Sequence, residues 1–277
     1  MIERTIIHVL SCNVVMSHLS TGKNSIAFGK GIGFKKAPGM IIPEGEISQE
    51  FLLHTSEVLR NYEQILNAVD VKIIGITEEV IAYAQGMLEG AFSETIHASL
   101  VDHINFAVER QKRGIFITNP FAYEIQYMYP EEYKVAKKSV DFLNENLDVK
   151  LPEDEVAFLA MHFNGARKKE QASDSLAVVR VVSQTIESAK ELGFNLDDSF
   201  STLRFISHLK GLIERVKQRK TLQNSLLDKI KEEYGDTYVK AKVLSLMLSD
   251  SLQTDVPDDE TGYLTMHLER MLKRTEA

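Results

Sequence analysis

The sequence predicts an α+β protein in which a small antiparallel β-sheet domain precedes two duplicated all-α helical-bundle modules. The first 55 residues alternate short apolar runs with turns. After about residue 57, apolar residues recur every three or four positions, and long stretches lack Pro and Gly. The length of 277 residues suits a small domain followed by two larger modules.

The amino-terminal residues have the composition of short β-strands. Thr5 to Leu10 and Asn13 to His18 are rich in Ile, Val and Met, and Ser25 to Phe28 resumes the apolar pattern after turn residues at 20–24. We place this sheet domain at residues 1–56. Because a domain of this size buries only about 60% of its unfolded surface, we expect it to need a partner, most simply a second copy of itself.

An internal repeat organises the helical part. The segment LPEDEVAFLAMHF at 151–163 recurs as VPDDETGYLTMHL at 256–268, an offset of 105 residues. At the same offset, LVDHI at 100–104 falls on FISHL at 205–209, and Glu109-Arg110 falls on Glu214-Arg215. No gap is required, which indicates two copies of one module. We place the modules at 66–170 and 171–277, with the polar stretch 167–175 as the linker.

Each module carries two histidines at matching positions, His103 and His162 in the first and His208 and His267 in the second. Pro152 and the acidic residues after it suit the first turn of a helix, which sets His162 beside an apolar stripe. One such histidine is usually a satisfied core residue, but four in register favour a function. Imidazole is suited to metal binding, proton transfer or phosphoryl acceptance.

Metal binding and hydrolysis are poorly supported by the spacing. None of the four histidines has a second histidine three or four residues away, so we expect no metal and no cofactor. Asp102-His103 resembles the pairs of metal phosphohydrolases, yet the counterpart of Asp102 is Ser207. No Gly-x-Ser-x-Gly motif is present, and the single Cys12 lies in the sheet region. We expect no enzyme, and a metal-dependent phosphohydrolase is the weakest alternative.

The charge is unevenly distributed. The net charge of −8 argues against a nucleic-acid partner, but residues 1–40 hold five basic residues against Glu3, a balance of +4, so the rest carries −12. Gly29-Lys30-Gly31-Ile32-Gly33 predicts a tight turn that brings backbone amides and Lys30 to a polyanion, with Phe34 available to stack on a base. A hairpin turn with a core Phe34 is the open alternative.

No apolar run approaches the roughly 18 residues of a membrane span. The amino terminus also lacks the basic and apolar regions of a signal peptide. A lone Cys12 fits a reducing compartment. We therefore expect a cytoplasmic protein with no membrane insertion.

The basic stretch GKGIGFKK at 29–36, followed by two modules that each hold Asp/Ser-His and Leu-x-Met-His, resembles the BglG/SacY family of transcriptional antiterminators over essentially the whole chain. The segments 119–121 and 129–133, together with 151–153, look most like its glucose-type branch. The resemblance implies a co-antiterminator RNA-binding domain and two phosphotransferase-system (PTS) regulation domains. It also implies a homodimer that binds a hairpin in nascent mRNA overlapping an intrinsic terminator, so that sugar-uptake genes are transcribed.

The resemblance assigns residues as well. It implies that the RNA is contacted by Asn13, Gly29, Lys30, Gly31, Phe34 and Lys35, and that phosphate is accepted by His103, His162, His208 and His267. It further implies that the permease's EIIB component phosphorylates and inactivates the first module, while phosphorylated HPr acts on the second and activates it. The family frequently has Arg where Lys30 stands, and a point charge weakens bidentate recognition.

A DNA-binding activator with the same regulatory modules is the main alternative function. Residues 1–56 show strand alternation and no helix-turn-helix pattern, which disfavours it.

Overall fold

The computed structural model describes residues 2–169, 172–196, 200–220 and 222–272. It begins with a four-stranded antiparallel sheet in the order β1-β2-β3-β4. The strands are β1 (Arg4–Val9), β2 (Val14–Leu19), β3 (Asn24–Phe28) and β4 (Gln49–Leu53). The apolar pattern marks the first three strands, and β4 adds to them by pairing with β3 from Asn24↔Leu53 to Phe28↔Gln49. The predicted α+β class is confirmed.

Eleven helices follow within the described residues. They are α1 (Ser56–Ala68), α2 (Val71–Met87), α3 (Thr95–Lys112), α4 (Ala122–Met128), α5 (Pro130–Asn146), α6 (Asp154–Lys168), α7 (Ala172–Glu191), α8 (Phe200–Lys217), α9 (Leu227–Glu233), α10 (Gly235–Leu252) and α11 (Asp258–Glu269). The offset of 105 residues carries both ends of α3 onto α8 and both ends of α4 onto α9. Duplication of the sequence is therefore duplication of the helices.

Both faces of the sheet are apolar, because β2 is buried on each side. One face, with Val14 and Met16, packs against helical residues that include Tyr62 and Ile74. The other face, with Val15, is covered by Ile32 and Ile42 from the long connection between β3 and β4. Helices of the same chain thus supply burial that the sequence alone assigned to a second copy, and the homodimer stays a prediction.

The chain divides into two compact units. One comprises residues 1–119 and 131–173, and the other comprises residues 120–130 and 174–277. Helix α4 belongs to the second unit, where it packs on α8. Lys210 fastens it there, since its Nζ donates to the Met128 carbonyl at 2.6 Å and lies 4.6 Å from the centre of the Tyr129 ring. The domain limits 1–56, 66–170 and 171–277 remain predictions.

Candidate nucleic-acid interface and histidine pairs

The turn between β1 and β2 holds the glycine-rich loop in place. Asn13 accepts hydrogen bonds from Gly31 N through its side-chain Oδ1 at 3.0 Å and from Gly29 N through its carbonyl at 3.1 Å. Gly33 N donates to the Cys12 carbonyl at 3.0 Å. Asn13, assigned to RNA from the resemblance, therefore also shapes the loop that carries the other assigned residues.

Two glycines of this loop are required by its geometry. Gly31 has a backbone φ of +73°, a conformation that residues with a side chain rarely adopt. Gly29 is buried against the Glu46 carbonyl, where a Cβ does not fit. Gly31 is partly accessible to a ligand. Gly29 is buried, so it contributes by permitting the backbone conformation of the loop.

Three side chains of the loop project into solvent. Phe34 is 60% exposed, so the alternative of a core phenylalanine is wrong. Lys35 is exposed and its Nζ lies 5.3 Å from the centre of the Phe34 ring. Lys30, in the same loop, is also exposed. An accessible ring with one ammonium group over it, in a loop that carries a second exposed lysine, suits a nucleotide, whose base stacks and whose phosphate carries negative charge.

The positive charge of the first 40 residues is only partly available. Arg4 is buried, and its guanidinium binds the Glu50 carboxylate, with Nε to Oε1 at 2.9 Å. Lys36 Nζ lies 3.3 Å from Glu46 Oε2. The exposed cations Lys23, Lys30 and Lys35 therefore carry the attraction that the sequence assigned to five residues.

A carboxylate from α2 lies beneath the β1–β2 turn. Glu79 Oε1 accepts a hydrogen bond from Ser11 Oγ at 2.6 Å and lies 3.5 Å from Asn13 Nδ2. Gly75, one turn earlier on α2, presses against the Leu10 carbonyl and leaves no room for a Cβ. Sequence reasoning missed Glu79, because nothing in a linear pattern pairs a helix glutamate with a turn 66 residues earlier.

Behind the sheet, a second carboxylate of α2 is wholly buried. Glu78 accepts from the Tyr62 hydroxyl at 2.8 Å, and its other oxygen lies 2.7 Å from His97 Nδ1. The Phe51 ring of β4 meets the His97 ring edge-on at 4.8 Å. Burial and the adjacent Glu78 charge raise the pKa of Tyr62 well above its usual value. This polar cluster fastens β4, α1, α2 and α3 together.

The first predicted histidine pair is brought together by α3 and α6. The ring centres of His103 and His162 lie 4.9 Å apart. Glu155, almost fully buried, joins His103 to Arg110. Its Oε2 lies 2.8 Å from His103 Nε2, and its Oε1 lies 2.9 Å from Arg110 Nη2. The structure thus places two histidines, a carboxylate and a guanidinium in one cluster.

The second pair lies between α8 and α11. The ring centres of His208 and His267 are 4.5 Å apart. Here Arg215 holds both oxygens of the buried Glu260, with Nε to Oε1 at 2.7 Å and Nη2 to Oε2 at 2.8 Å. The buried Nε2 of His208 has no hydrogen-bond partner within the described ranges. The same four residue types, each displaced by 105 positions, therefore form a different hydrogen-bond pattern.

Burial favours a neutral imidazole at His162, His208 and His267. It lowers the pKa of His162 to about 3, with a further contribution from the charge of His103. It lowers the pKa of His208 to about 3, with contributions from His267 and Arg215. The pKa of His267 is lowered by burial and by nearby arginines. A neutral ring keeps the lone pair that a nucleophile needs.

Two further searches concern classes of function. No group of three or more His, Cys, Asp or Glu suited to a metal ion is found among the residues that the structure describes. Within the same residues, no helix is both long and apolar enough to cross a membrane.

Comparison with known families matches three segments of the chain, which contain the sheet and the two histidine pairs. The model of the PRD domain matches residues 78–166 and again residues 183–271, and the model of the CAT RNA binding domain matches residues 5–59. The chain belongs to the CAT–PRD family. The resemblance to the BglG/SacY group is thereby confirmed, with each PRD domain containing one of the histidine pairs.

Relatives of this CAT–PRD protein align along almost their whole length. It is 29% identical to the transcription antiterminator LicT of Bacillus subtilis over 272 residues, covering 96% of this chain and 98% of LicT. It is 28% identical to the beta-glucoside operon antiterminator of Dickeya chrysanthemi, covering 95% of each chain. The crystal structure of GlcT CAT-PRDI superposes with a TM-score of 0.52 and 34% identity, covering 60% of this chain and 98% of that one.

Proposed function

We propose that this protein is a transcriptional antiterminator that binds a hairpin in nascent mRNA and prevents intrinsic termination of PTS sugar-uptake genes. The observation that carries the proposal is the presence in one chain of an exposed, aromatic and basic loop on a CAT domain and of a histidine pair in each of two PRD domains. Its site of action is the cytoplasm, where nascent mRNA is made. The chain accepts phosphoryl groups as a regulator and turns over no substrate.

The RNA is held by the loop that follows β3. Phe34 offers a stacking surface, Lys30 and Lys35 attract phosphates, and Gly31 brings the backbone close. Gly29 and Asn13 contribute by holding the loop in its turn.

Regulation comes from phosphorylation of His103, His162, His208 and His267. EIIB of the sugar permease phosphorylates the first PRD domain and inactivates the protein, and phosphorylated HPr activates it through the second. A phosphoryl group adds a charge of about −1.5 to −2, and in the first PRD domain it is placed beside the carboxylate of Glu155. In a homodimer, two dianions about 7 Å apart repel by about 2.4 kcal/mol even at the dielectric constant of water. Several sites together therefore control the dimer, and the dimer controls RNA affinity.

The test is binding of the full chain to a hairpin that overlaps a terminator, measured by gel shift and by transcriptional read-through. His103→Asp mimics part of the phosphoryl charge, and His103→Asn is its uncharged control. We expect the Asp variant to dimerise and bind less well than the Asn variant. Equal dimerisation and equal RNA binding of His103→Asp and the wild type would contradict the charge mechanism.

Salt dependence tests the RNA surface separately. Each neutralised phosphate contributes a slope of about −0.7 to −0.9 in log K against log salt. Lys30→Ala therefore reduces the slope by about one unit, whereas Lys36→Ala, which removes a lysine already paired with Glu46, reduces it by less. An affinity independent of salt rules out the electrostatic part of the proposal.

A further inference from the structure

The first histidine pair contains a hydrogen bond, between His103 and Glu155, that bears on which ring nitrogen of His103 takes the phosphate. We propose that Glu155 is a positioning residue that makes Nδ1 of His103 the phosphoryl-accepting atom of the first PRD domain. This inference rests on the proposed function only in taking His103 as a phosphorylation site. It adds the atom, the tautomer and the residues that select them.

The first step of the argument concerns the carboxylate. Glu155 is 2% exposed and has His103 on one oxygen and Arg110 on the other. Burial alone raises its pKa, but the hydrogen bonds and charges of His103 and Arg110 outweigh burial, and the pKa lies below the usual value. An ionised carboxylate has no proton to donate. The hydrogen bond to His103 is therefore donated by Nε2–H.

The second step concerns the other ring nitrogen. A neutral imidazole has one N–H, so a proton on Nε2 leaves the lone pair on Nδ1. The His103 side chain is 17% exposed, and Nδ1 has no hydrogen-bond partner among the described residues. In the neutral form of the His103 ring, which is the nucleophilic form, Nδ1 is therefore the unprotonated atom that can attack phosphorus.

The transfer then needs no proton movement within the site. Nδ1 attacks the phosphorus of a phosphoramidate-type donor, a P–Nδ1 bond forms, and the donor's P–N bond breaks. The donor nitrogen leaves with the electron pair of that bond, as ammonia from phosphoramidate or as the imidazole of a donor phosphohistidine, protonated by solvent. Nε2 keeps its proton, and Glu155 balances the positive charge of the substituted ring.

The second PRD domain lacks this arrangement. Both oxygens of Glu260 are bound by Arg215, and Nε2 of His208 is buried without a partner within the described ranges. Among the residues that the structure describes, no contact fixes the tautomer of His208 in the way that Glu155 fixes that of His103. The second domain therefore supplies a matched control for every substitution in the first.

Glu155→Gln is the decisive variant. Arg110 has only donors, so the amide oxygen turns toward Arg110 and the amide nitrogen faces Nε2 of His103. Nε2 then has to accept, and the proton moves to Nδ1. Full-length protein labelled with ¹⁵N-histidine reports the tautomer by NMR, with each histidine assigned by substitution, and phosphoramidate serves as the donor so that no partner protein is needed.

We expect wild-type His103 to be the Nε2–H tautomer and ³¹P NMR to show Nδ1-phosphohistidine. In Glu155→Gln the tautomer inverts, and Nδ1 phosphorylation slows by about 10- to 100-fold, as for other residues that orient a reactive group. Glu260→Gln leaves His103 unchanged. Arg110→Gln keeps the Glu155–His103 bond and hence the wild-type tautomer, so it separates the effect of Glu155 from a general disturbance of the cluster.

Several results overturn the inference. One is a wild-type His103 with its proton on Nδ1. This result is measured on the wild type alone, so it does not depend on the folding of a variant. Others are an unchanged phosphorylated atom in Glu155→Gln, or no phosphate on His103 from phosphoramidate. If phosphoramidate labels Nδ1 but neither EIIB nor HPr phosphorylates His103, the inference holds and the phosphotransfer in the proposed function fails.

Discussion

The two histidine pairs are built from the same residue types in the same order, yet their hydrogen bonds differ. In the first PRD domain Glu155 is shared between His103 and Arg110. In the second, Arg215 takes both oxygens of Glu260. Arg110 leaves one glutamate oxygen for His103, whereas Arg215 leaves none for His208. This one difference separates a histidine with a fixed tautomer from one without. Duplicated sequence specifies where the groups lie, and small differences in packing specify which of them bond.

A second difference concerns the short helices α4 and α9, which occupy equivalent positions in the repeat. Helix α9 packs on α10 and α11 of its own domain. Helix α4 is grouped with the second compact unit and packs on α8. Equivalent anchors precede both helices, because Asn119 N donates to Asp154 Oδ1 as Asn224 N donates to Asp259 Oδ1. The divergence therefore begins after the anchor.

The largest expected effect is the loss of stability when the arginine that binds each buried glutamate is removed, and it differs between the two domains. Arg215→Ala removes both hydrogen bonds that hold the buried Glu260, and breaking a buried ion pair costs about 3–5 kcal/mol. Arg110→Ala leaves Glu155 bonded to His103 and costs about 2 kcal/mol. Urea denaturation combined with hydrogen exchange in α6 and α11 measures both losses.

Lys112→Ala is the control for that experiment, because its ion pair with Glu109 is exposed and is worth at most about 1 kcal/mol. Equal destabilisation by Arg110→Ala and Arg215→Ala would show that the two clusters are energetically alike and would remove the contrast between them.

An effect of intermediate size is expected on the free energy of unfolding when the pH is lowered. The pKa of His162 and of His208 is about 3 in the folded protein, against an ordinary value of 6.5. The unfolded chain therefore binds more protons as the pH falls below 6.5, and stability is lost between about pH 6.5 and pH 3. The slope is at most about 1.4 kcal/mol per pH unit for each histidine.

This acid loss also distinguishes the two domains. The pKa of Glu155 lies below its ordinary value of 4.5, so the first domain loses additional stability once the pH falls below 4.5. His162→Gln and His208→Gln each flatten the dependence above pH 4.5, measured by urea midpoints across the range. A stability that does not change between pH 7 and pH 5 in the wild type contradicts neutral, buried imidazoles.

The smallest expected effect tests the two short helices. Lys210→Met removes the hydrogen bond to the Met128 carbonyl and the contact with the Tyr129 ring, a loss of about 1 kcal/mol. Hydrogen exchange in α4 is then expected to speed up about fivefold, while exchange in α9 stays unchanged. Lys240→Met, which removes a lysine bonded to the Leu192 carbonyl, is the matched control. Faster exchange in both helices, or in neither, contradicts a separate attachment of α4.

Part of the candidate site could be predicted because it is encoded locally or by repetition. The offset of 105 residues identifies the histidines that form each pair, and the glycine-rich basic run identifies Phe34 and Lys30, although only the structure decides that Phe34 is exposed. Glu155 and Glu260 lay within the repeated motif, but as acids in a first helical turn they were already explained by the helix dipole. The matching of Arg110 with Arg215 at the same offset was the signal that could have revealed their partners.

Glu79 and Glu50 had no such signal. Glu79 meets Ser11 across 68 positions, and Glu50 neutralises Arg4 across 46. Either contact exists only once the sheet has packed on its neighbours. The sequence therefore overstated the positive charge available to RNA by counting Arg4, which the fold buries.

The sequence by itself determined the α+β class, the duplication, the helical character of the chain after about residue 57 and the four histidines at matching positions. These follow from periodicity and repetition, which depend on neighbours along the chain. Only the tertiary structure decided which oxygen of Glu155 binds His103, why Arg215 leaves His208 without that bond, and where α4 packs. Those choices depend on differences of a few tenths of an ångström in the distances between residues far apart in sequence, and hydrogen bonds are sensitive on that scale.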